Sequence, residues 1–243
     1  MATARSTTHS ELATYRAKRD FTKTSEPSGV TAHKVAGHAY LIQKHAASRL
    51  HYDFRLELGG VLKSWAVTRG PSLNPEDKRL AVHVEDHPLD YGSFEGTIPQ
   101  GQYGGGTVML WDHGTWEPIG NPDRDIARGN LTFILHGKRL KGRWHLVRLR
   151  GKRPDDTKRE NWLLIKGKDE HSDANGDAAT EKFQKSVVSG RGMEGIARGS
   201  GKSWGKTGSR KKSTAEAVDA VKALKKSVRG ARTARRAAPR RKG

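Results

Sequence analysis

From about residue 30 to residue 169, apolar side chains gather in short runs, some of which alternate with polar positions. The runs read AYLIQKH (39–45), HYDFRLEL (51–58), LKSWAV (62–67), RLAVHVED (79–86), GTVMLWD (106–112), GNLTFILHG (129–137), GRWHLVRL (142–149) and NWLLIKG (161–167). They are rich in β-branched and aromatic residues, and turn signals such as GG, RGPSLNPED, GQYGGG and NPD separate them. No long helical pattern interrupts the series. Roughly eight strands at this spacing read as an antiparallel barrel or sandwich. We take the fold as mostly β, about eight antiparallel strands over 31–169 in a barrel or sandwich. An N-terminal arm (1–30) and a basic, largely disordered tail (170–243) would flank it.

Composition supports arms on a core. Only 33% of the 243 residues are hydrophobic and 30% are charged, low and high respectively for a uniformly packed chain. The formal net charge is +20, which suits a polyanionic partner, nucleic acid before anionic membrane. Residues 198–243 hold 16 Lys+Arg against 2 Asp+Glu. Within them STAEAVDAVKALKKSV (213–228) predicts a short helix, with Ser213 and Glu216 at capping-box spacing. The arm after it suits electrostatic contact with phosphates. With no cysteine, disulfides, zinc ribbons and thiol nucleophiles are excluded, and a reducing compartment fits. No secretory leader or spanning segment is seen, so the expected location is the bacterial cytoplasm, at the nucleoid and away from membranes.

Alternation divides the second run between two faces. Leu50, Tyr52, Phe54 and Leu56 take one, and His51, Asp53, Arg55 and Glu57 the other. The first set accounts for a barrel wall. The second, with His45 in the preceding run, is either a solvated ion-pair ladder or a metal site. Two imidazoles and a carboxylate hold divalent transition metals, and an arginine fork suits phosphate oxygens. Glu57 has no evident role. A later run repeats the arrangement, with Leu80, Val82 and Val84 on one face and Arg79, Ala81, His83, Glu85 and His87 on the other. His87 and Tyr91 are suited to bond phosphate oxygens or protonate a leaving alkoxide, which favours a site over a ladder. His83 reads as a barrel histidine. The glycines of IPQGQYGGGTV (98–108) predict a hairpin, not a phosphate cradle. Trp65, Trp111, Trp116, Trp144 and Trp162 read as core.

HAASRLHYDFRLELGGVLKSWAV, RGPS, RLAVHVEDHPLDYGSFEGTIPQGQYGGGTV and NWLLIKG, with YRAKRDFTKTSEPSG before them, resemble the 3′-phosphoesterase domain of bacterial DNA ligase D, of non-homologous end joining. The resemblance spans roughly residues 10–170. It implies a manganese-dependent β-barrel enzyme, other divalent transition metals being admissible. Such an enzyme removes a 3′-terminal ribonucleoside and then the 3′-phosphate from DNA ends such as a primer–template, leaving a 3′-OH for a separate ligase. By the same resemblance His45, His51 and Asp53 match metal ligands, and Arg55, His87 and Tyr91 match groups engaging the phosphate. Arg79 and Glu85 match further residues important to activity, and Arg19, Asp20 and Glu26 match residues of the ribonucleoside-removing step. Arg69 stands where some members of the family are expected to carry lysine, exchanging a point charge for a fork. With no ligase or polymerase module, a stand-alone form is expected. Two other classes fit part of the pattern: a non-haem iron oxygenase using His51, Asp53 and His87, and a non-catalytic DNA-binding module acting through its tail.

Overall fold

The computed structural model describes residues 11–29, 37–149 and 160–200. The first ten residues and the tail beyond 200, with the helix expected over 213–228, lie outside them. All eight expected strands form, together with one short addition: β1 (Ala39–Ala46), β2 (Leu50–Leu58), β3 (Val61–Val67), β4 (Arg79–His87), β5 (Gly96–Ile98), β6 (Gly106–Pro118), β7 (Asn130–Gly137), β8 (Lys141–Arg148) and β9 (Asn161–Lys166). Neighbours run β1-β2-β3-β4-β9-β8-β7-β6, and an antiparallel β1–β6 pairing closes the circle. The addition, β5, pairs with β6 outside the barrel.

Aromatic volume fills the interior. Trp65, Trp111, Trp116, Trp144 and Trp162 are at most 2% exposed and pack with Tyr40, Phe54 and Phe133. Each such burial contributes on the order of 1.5–3 kcal/mol. This packing leaves no lumen for a ligand, so a functional site must be built on the outer wall.

Opposite-parity residues do build a second layer there. Leu41, Leu62, Val108 and Leu110 of the wall pack with Tyr91 and Phe94 of the segment after β4, and with Leu12 and Tyr15 of an N-terminal strap. The strap (11–29) carries the short helix α1 (Ala13–Ala17), and its Tyr15 is fully buried. Tyr91 lies on a 3-10 turn, Leu89–Ser93.

The structure corrects the facing of β4. Ala81 lies in the interior cluster and His83 stacks on Trp65 at 5.3 Å, whereas Leu80 is 38% exposed. Ser64 pairs with Val84, but Leu62 pairs with His87. Glu85 and Asp86 of β4 therefore oppose the single Lys63 of β3, and this one-residue bulge reverses the parity. Unbroken alternation groups His83 with His87. The bulge instead sends His83 inward and His87 to the outer layer.

Two further elements escape periodicity. NPD opens α2 (Pro122–Arg128), where Asn121 caps the helix by accepting from Arg124 N and Gly129 ends it at φ 79°. Ordered structure also continues past residue 169, through α3 (Ala178–Lys182) and α4 (Met193–Ser200). Ala179 and Ile196 are part of the core and Phe183 packs against it. Trp111 Nε1 donates to Phe183 O at 2.7 Å, and Asp177 pairs with Arg79 at 2.7 Å. A boundary at 169 therefore falls short of the packed structure. Ending the chain after residue 169 should lower stability by several kcal/mol, on the order of two large side chains uncovered, and a thermal melt beside one ended after Ser200 measures it.

Candidate metal centre

Strand register sets the site. His45 of β1 lies directly opposite His51 of β2, and Gln43 opposite Asp53, so all four share the outer face. The ligand atoms of His45, His51 and Asp53 lie within 4.8 Å of one another. His45 Nδ1 is 3.5 Å from one Asp53 oxygen and His51 Nε2 is 3.6 Å from the other.

The second nitrogen of each ring is already committed. His45 Nε2 donates to Gly104 O and His51 Nδ1 donates to Arg49 O, each at 2.9 Å. In a neutral imidazole the remaining nitrogen then carries a lone pair. Both lone pairs face the Asp53 carboxylate, a repulsive arrangement that a cation between them converts to attraction. Ligands about 2.1 Å from one ion lie about 3–4 Å apart; the two His–Asp separations fall in that range, and donor set and tautomers suit a divalent transition metal.

A buried network holds the carboxylate. Burial alone would raise the Asp53 pKa, but the Arg55 guanidinium holds it well below the usual carboxylate range. Arg55 is 1% exposed and pairs with Asp53 at 3.2 Å. Its Nε donates to Gln43 Oε1 at 2.9 Å and its Nη1 to Ser64 Oγ at 2.8 Å. Gln43 in turn donates to Tyr91 O and Phe94 O, which ties the 3-10 turn to the wall. Sequence reasoning passed over Gln43. Its alternation with His45 on an otherwise apolar strand was the available signal.

The strap supplies the far side. Arg19, 4% exposed, pairs with Glu26 at 2.8 Å and Glu85 at 3.1 Å, and its Nη2 donates to His87 Nε2 at 3.3 Å. Lys18 reaches Glu85 at 2.9 Å. His87 Nδ1 donates to Glu85 O at 2.8 Å, leaving Nε2 as the acceptor. Burial first, then Arg55 and Arg19, hold the His87 pKa well below its usual range, so the ring is neutral. Tyr91 packs edge-on against His87 at 4.8 Å, with Arg55 over its ring at 4.9 Å, and burial pushes its phenol well above the usual range.

Thus His45, His51, Asp53, Arg55, His87, Tyr91, Glu85, Arg19 and Glu26 form one connected outer-face assembly. Three other residues from the sequence reading have different surroundings. Asp20 serves its own loop: it accepts from Thr22 N and Oγ1, lies beside Lys23, and these contacts hold its pKa down to about 2. Arg79 bridges Asp77 and Asp177. Arg69 is exposed and lines a shallow cleft with Lys78 and Arg79. Glu57 acquires a structural role, since its Oε2 accepts from Ala39 N at 3.0 Å and anchors the start of β1. The glycine turn is the expected hairpin, and it also orients His45 through Gly104, whose φ of +75° favours glycine.

Residues 43–148 match the family model described as the DNA ligase D 3′-phosphoesterase domain. Over 162 residues the chain is 56% identical to the multifunctional non-homologous end joining protein LigD of Pseudomonas aeruginosa, covering 65% of this chain and 19% of that protein. It is 48% identical over 144 residues to the corresponding DNA repair protein of Mycobacterium tuberculosis, covering 58% of this chain and 19% of the relative. For the LigD of Mycolicibacterium smegmatis the figures are 40% over 169 residues, 66% and 21%. The chain thus spans about a fifth of the length of these relatives. The resemblance carried by the sequence blocks is borne out over the barrel.

The buried neutral His87 has a consequence for acid stability. The unfolded ring takes its proton near 6.5 and the folded ring only well below that. Between those points the unfolded chain binds more protons, so stability declines as pH falls from 6.5. Urea midpoints of the metal-free protein should follow this course, and His87→Gln should flatten it.

Proposed function

We propose that this ligase D-type 3′-phosphoesterase domain is a metal-dependent hydrolase that heals DNA 3′ ends. In this reading it removes a 3′-terminal ribonucleoside and then the 3′-phosphate, leaving a 3′-OH for a separate ligase. The observation that carries it is the convergence of two fixed imidazole lone pairs on the Asp53 carboxylate, flanked by Arg55, within a segment matching the phosphoesterase family. His45, His51 and Asp53 would hold the ion, and we take manganese as the metal. When bound, a divalent ion supplies positive charge against the phosphate oxygens.

The chain's own groups do the rest. Phosphodiester cleavage that leaves a 3′-phosphate builds negative charge on the nonbridging oxygens and on the leaving 5′-oxygen of the terminal ribonucleoside, and removal of the 3′-phosphate builds it on the leaving 3′-oxygen. Arg55, whose Nε, Nη1 and Nη2 all meet protein partners, orients Asp53 and directs its residual charge at the phosphate. His87 Nε2, unprotonated in the neutral ring, and the Arg19 guanidinium form the opposite wall, where His87 would accept a proton and Arg19 would donate a hydrogen bond to the leaving oxygen. Arg19 in turn is positioned by Glu26 and Glu85. Burial of these groups strengthens each electrostatic contact. A His–His–Asp set also suits a non-haem iron oxygenase. The surrounding guanidiniums favour an anionic substrate, and His87, which that alternative needed as a ligand, faces Arg19 instead.

The proposed partner is a DNA end in the bacterial cytoplasm, with the basic tail holding neighbouring phosphates through charge. No helix among the described residues is long and apolar enough to cross a membrane.

A primer–template bearing one terminal ribonucleotide should yield first a 3′-phosphate and then a 3′-OH strand in Mn²⁺, and neither in chelator. His51→Ala should lose both products while leaving the thermal melt of the metal-free protein near wild type. Retention of full activity by His51→Ala would refute the site. Ending the chain after Ser200 should weaken DNA binding and flatten its dependence on salt, by about 0.9 in log–log slope for each phosphate that the tail neutralises. An unchanged slope would remove the tail from the binding surface.

A further inference from the structure

Among the described aromatic residues, Tyr103 is the one that is exposed, at 46%. It sits at the tip of the glycine turn between Gly101 and Gly104, both in the left-handed region. Backbone bonds from Gln102 N to Pro99 O and from Gly105 N to Gln102 O hold the turn. The residue after Tyr103 is Gly104, whose carbonyl fixes His45. The ring therefore stands on the rim of the metal centre. Cations surround it, with Lys18 Nζ at 4.7 Å and Arg19 Cζ at 5.4 Å from the ring centroid. Its hydroxyl lies 3.2 Å from Lys18 Nζ and 3.4 Å from a Glu85 oxygen.

An aromatic face left in water forgoes the burial that all but two of the other described aromatics obtain. Such a face beside a phosphate-type site is a surface on which a base stacks, and the cations favour the attached phosphate. Which base is set by access. On one side of the centre the strap closes over Tyr15 and Glu26, both buried. On the other side the β1–β2 turn is open at Ala46, Ser48, Arg49 and Leu50, where a duplex can approach.

Resting on the function proposed above, we propose that Tyr103 is a specificity-determining residue that stacks on the base of the 3′-terminal nucleoside. It thereby favours ends that carry a terminal nucleoside over ends that carry only a 3′-phosphate. A latch role, in which the hydroxyl ties the turn to Lys18 and Glu85, is the competing assignment, and loss of the hydroxyl alone separates the two.

The test uses the full chain loaded with Mn²⁺ and three primer–template ends: a terminal ribonucleoside, a terminal abasic ribose and a 3′-phosphate. Tyr103→Ala should raise KM for the ribonucleoside end about 5- to 150-fold, as expected for loss of one base stack, with a smaller change in kcat. Tyr103→Phe should stay near wild type. On the abasic and phosphate ends the ratio of wild type to Tyr103→Ala should fall toward one. A 3′-terminal 2-aminopurine ribonucleoside should lose fluorescence on mixing with wild type and Tyr103→Phe, and not with Tyr103→Ala. The proposal is overturned if Phe is as impaired as Ala, if Ala slows all three ends equally, or if the quench survives in Ala. Absence of turnover by wild type on all three ends defeats the underlying function instead, and the quench then still decides the stacking.

Discussion

The pair between Asp53 and Arg55 on the outer wall of the barrel governs most of what surrounds it. An ionised carboxylate and a guanidinium removed from water cost several kcal/mol each unless geometry and further hydrogen bonds offset the loss. Asp53 is 7% exposed and Arg55 1%, so both need a full set of partners. Arg55 finds them in Gln43 and Ser64, and Gln43 commits its amide to the Tyr91 and Phe94 carbonyls. The requirement of one buried ion pair thus extends to the turn that seats Tyr91 against His87. Removing either member would leave an uncompensated charge in the layer that holds the candidate metal ligands.

Layering follows from packing. A barrel interior filled with tryptophan leaves no room for a polar site, so the candidate site lies on the outer face, beneath a cover. The strap provides it through Tyr15, stacked under the Arg19 guanidinium at 3.9 Å, and through the ion pairs of Arg19 with Glu26 and Glu85. One guanidinium therefore both docks the strap and faces His87. Structure and polarity of the site are set together, because the contacts that exclude water are the same ones that carry the charge.

How far the site was legible depends on the period of its strands. His45, His51, Asp53 and Arg55 lie on regular β1 and β2, where parity in the sequence equals parity in space, and they come together as alternation says. Parity is broken on β4 by the bulge opposite Lys63, so the facing of His83, Glu85 and His87 was not readable from their spacing alone. Arg79 and Asp20 look like their neighbours in sequence, yet carboxylates from α3 and a local turn occupy them. Gln43 was overlooked since an uncharged amide announces nothing until its three partners are assembled around it.

By itself the amino-acid order determined the series of strands, the division of β2 between an apolar and a polar face, and the excess of basic charge. Each is a local property, resting on period-two facing, residue chemistry or composition. The tertiary structure decided what joins to what: closure through β1 and β6, the parity reversal on β4, the seating of the strap on the outer wall, and the continuation of the packed core to α4. These rest on contacts between residues far apart in the chain, whose partners no local pattern names.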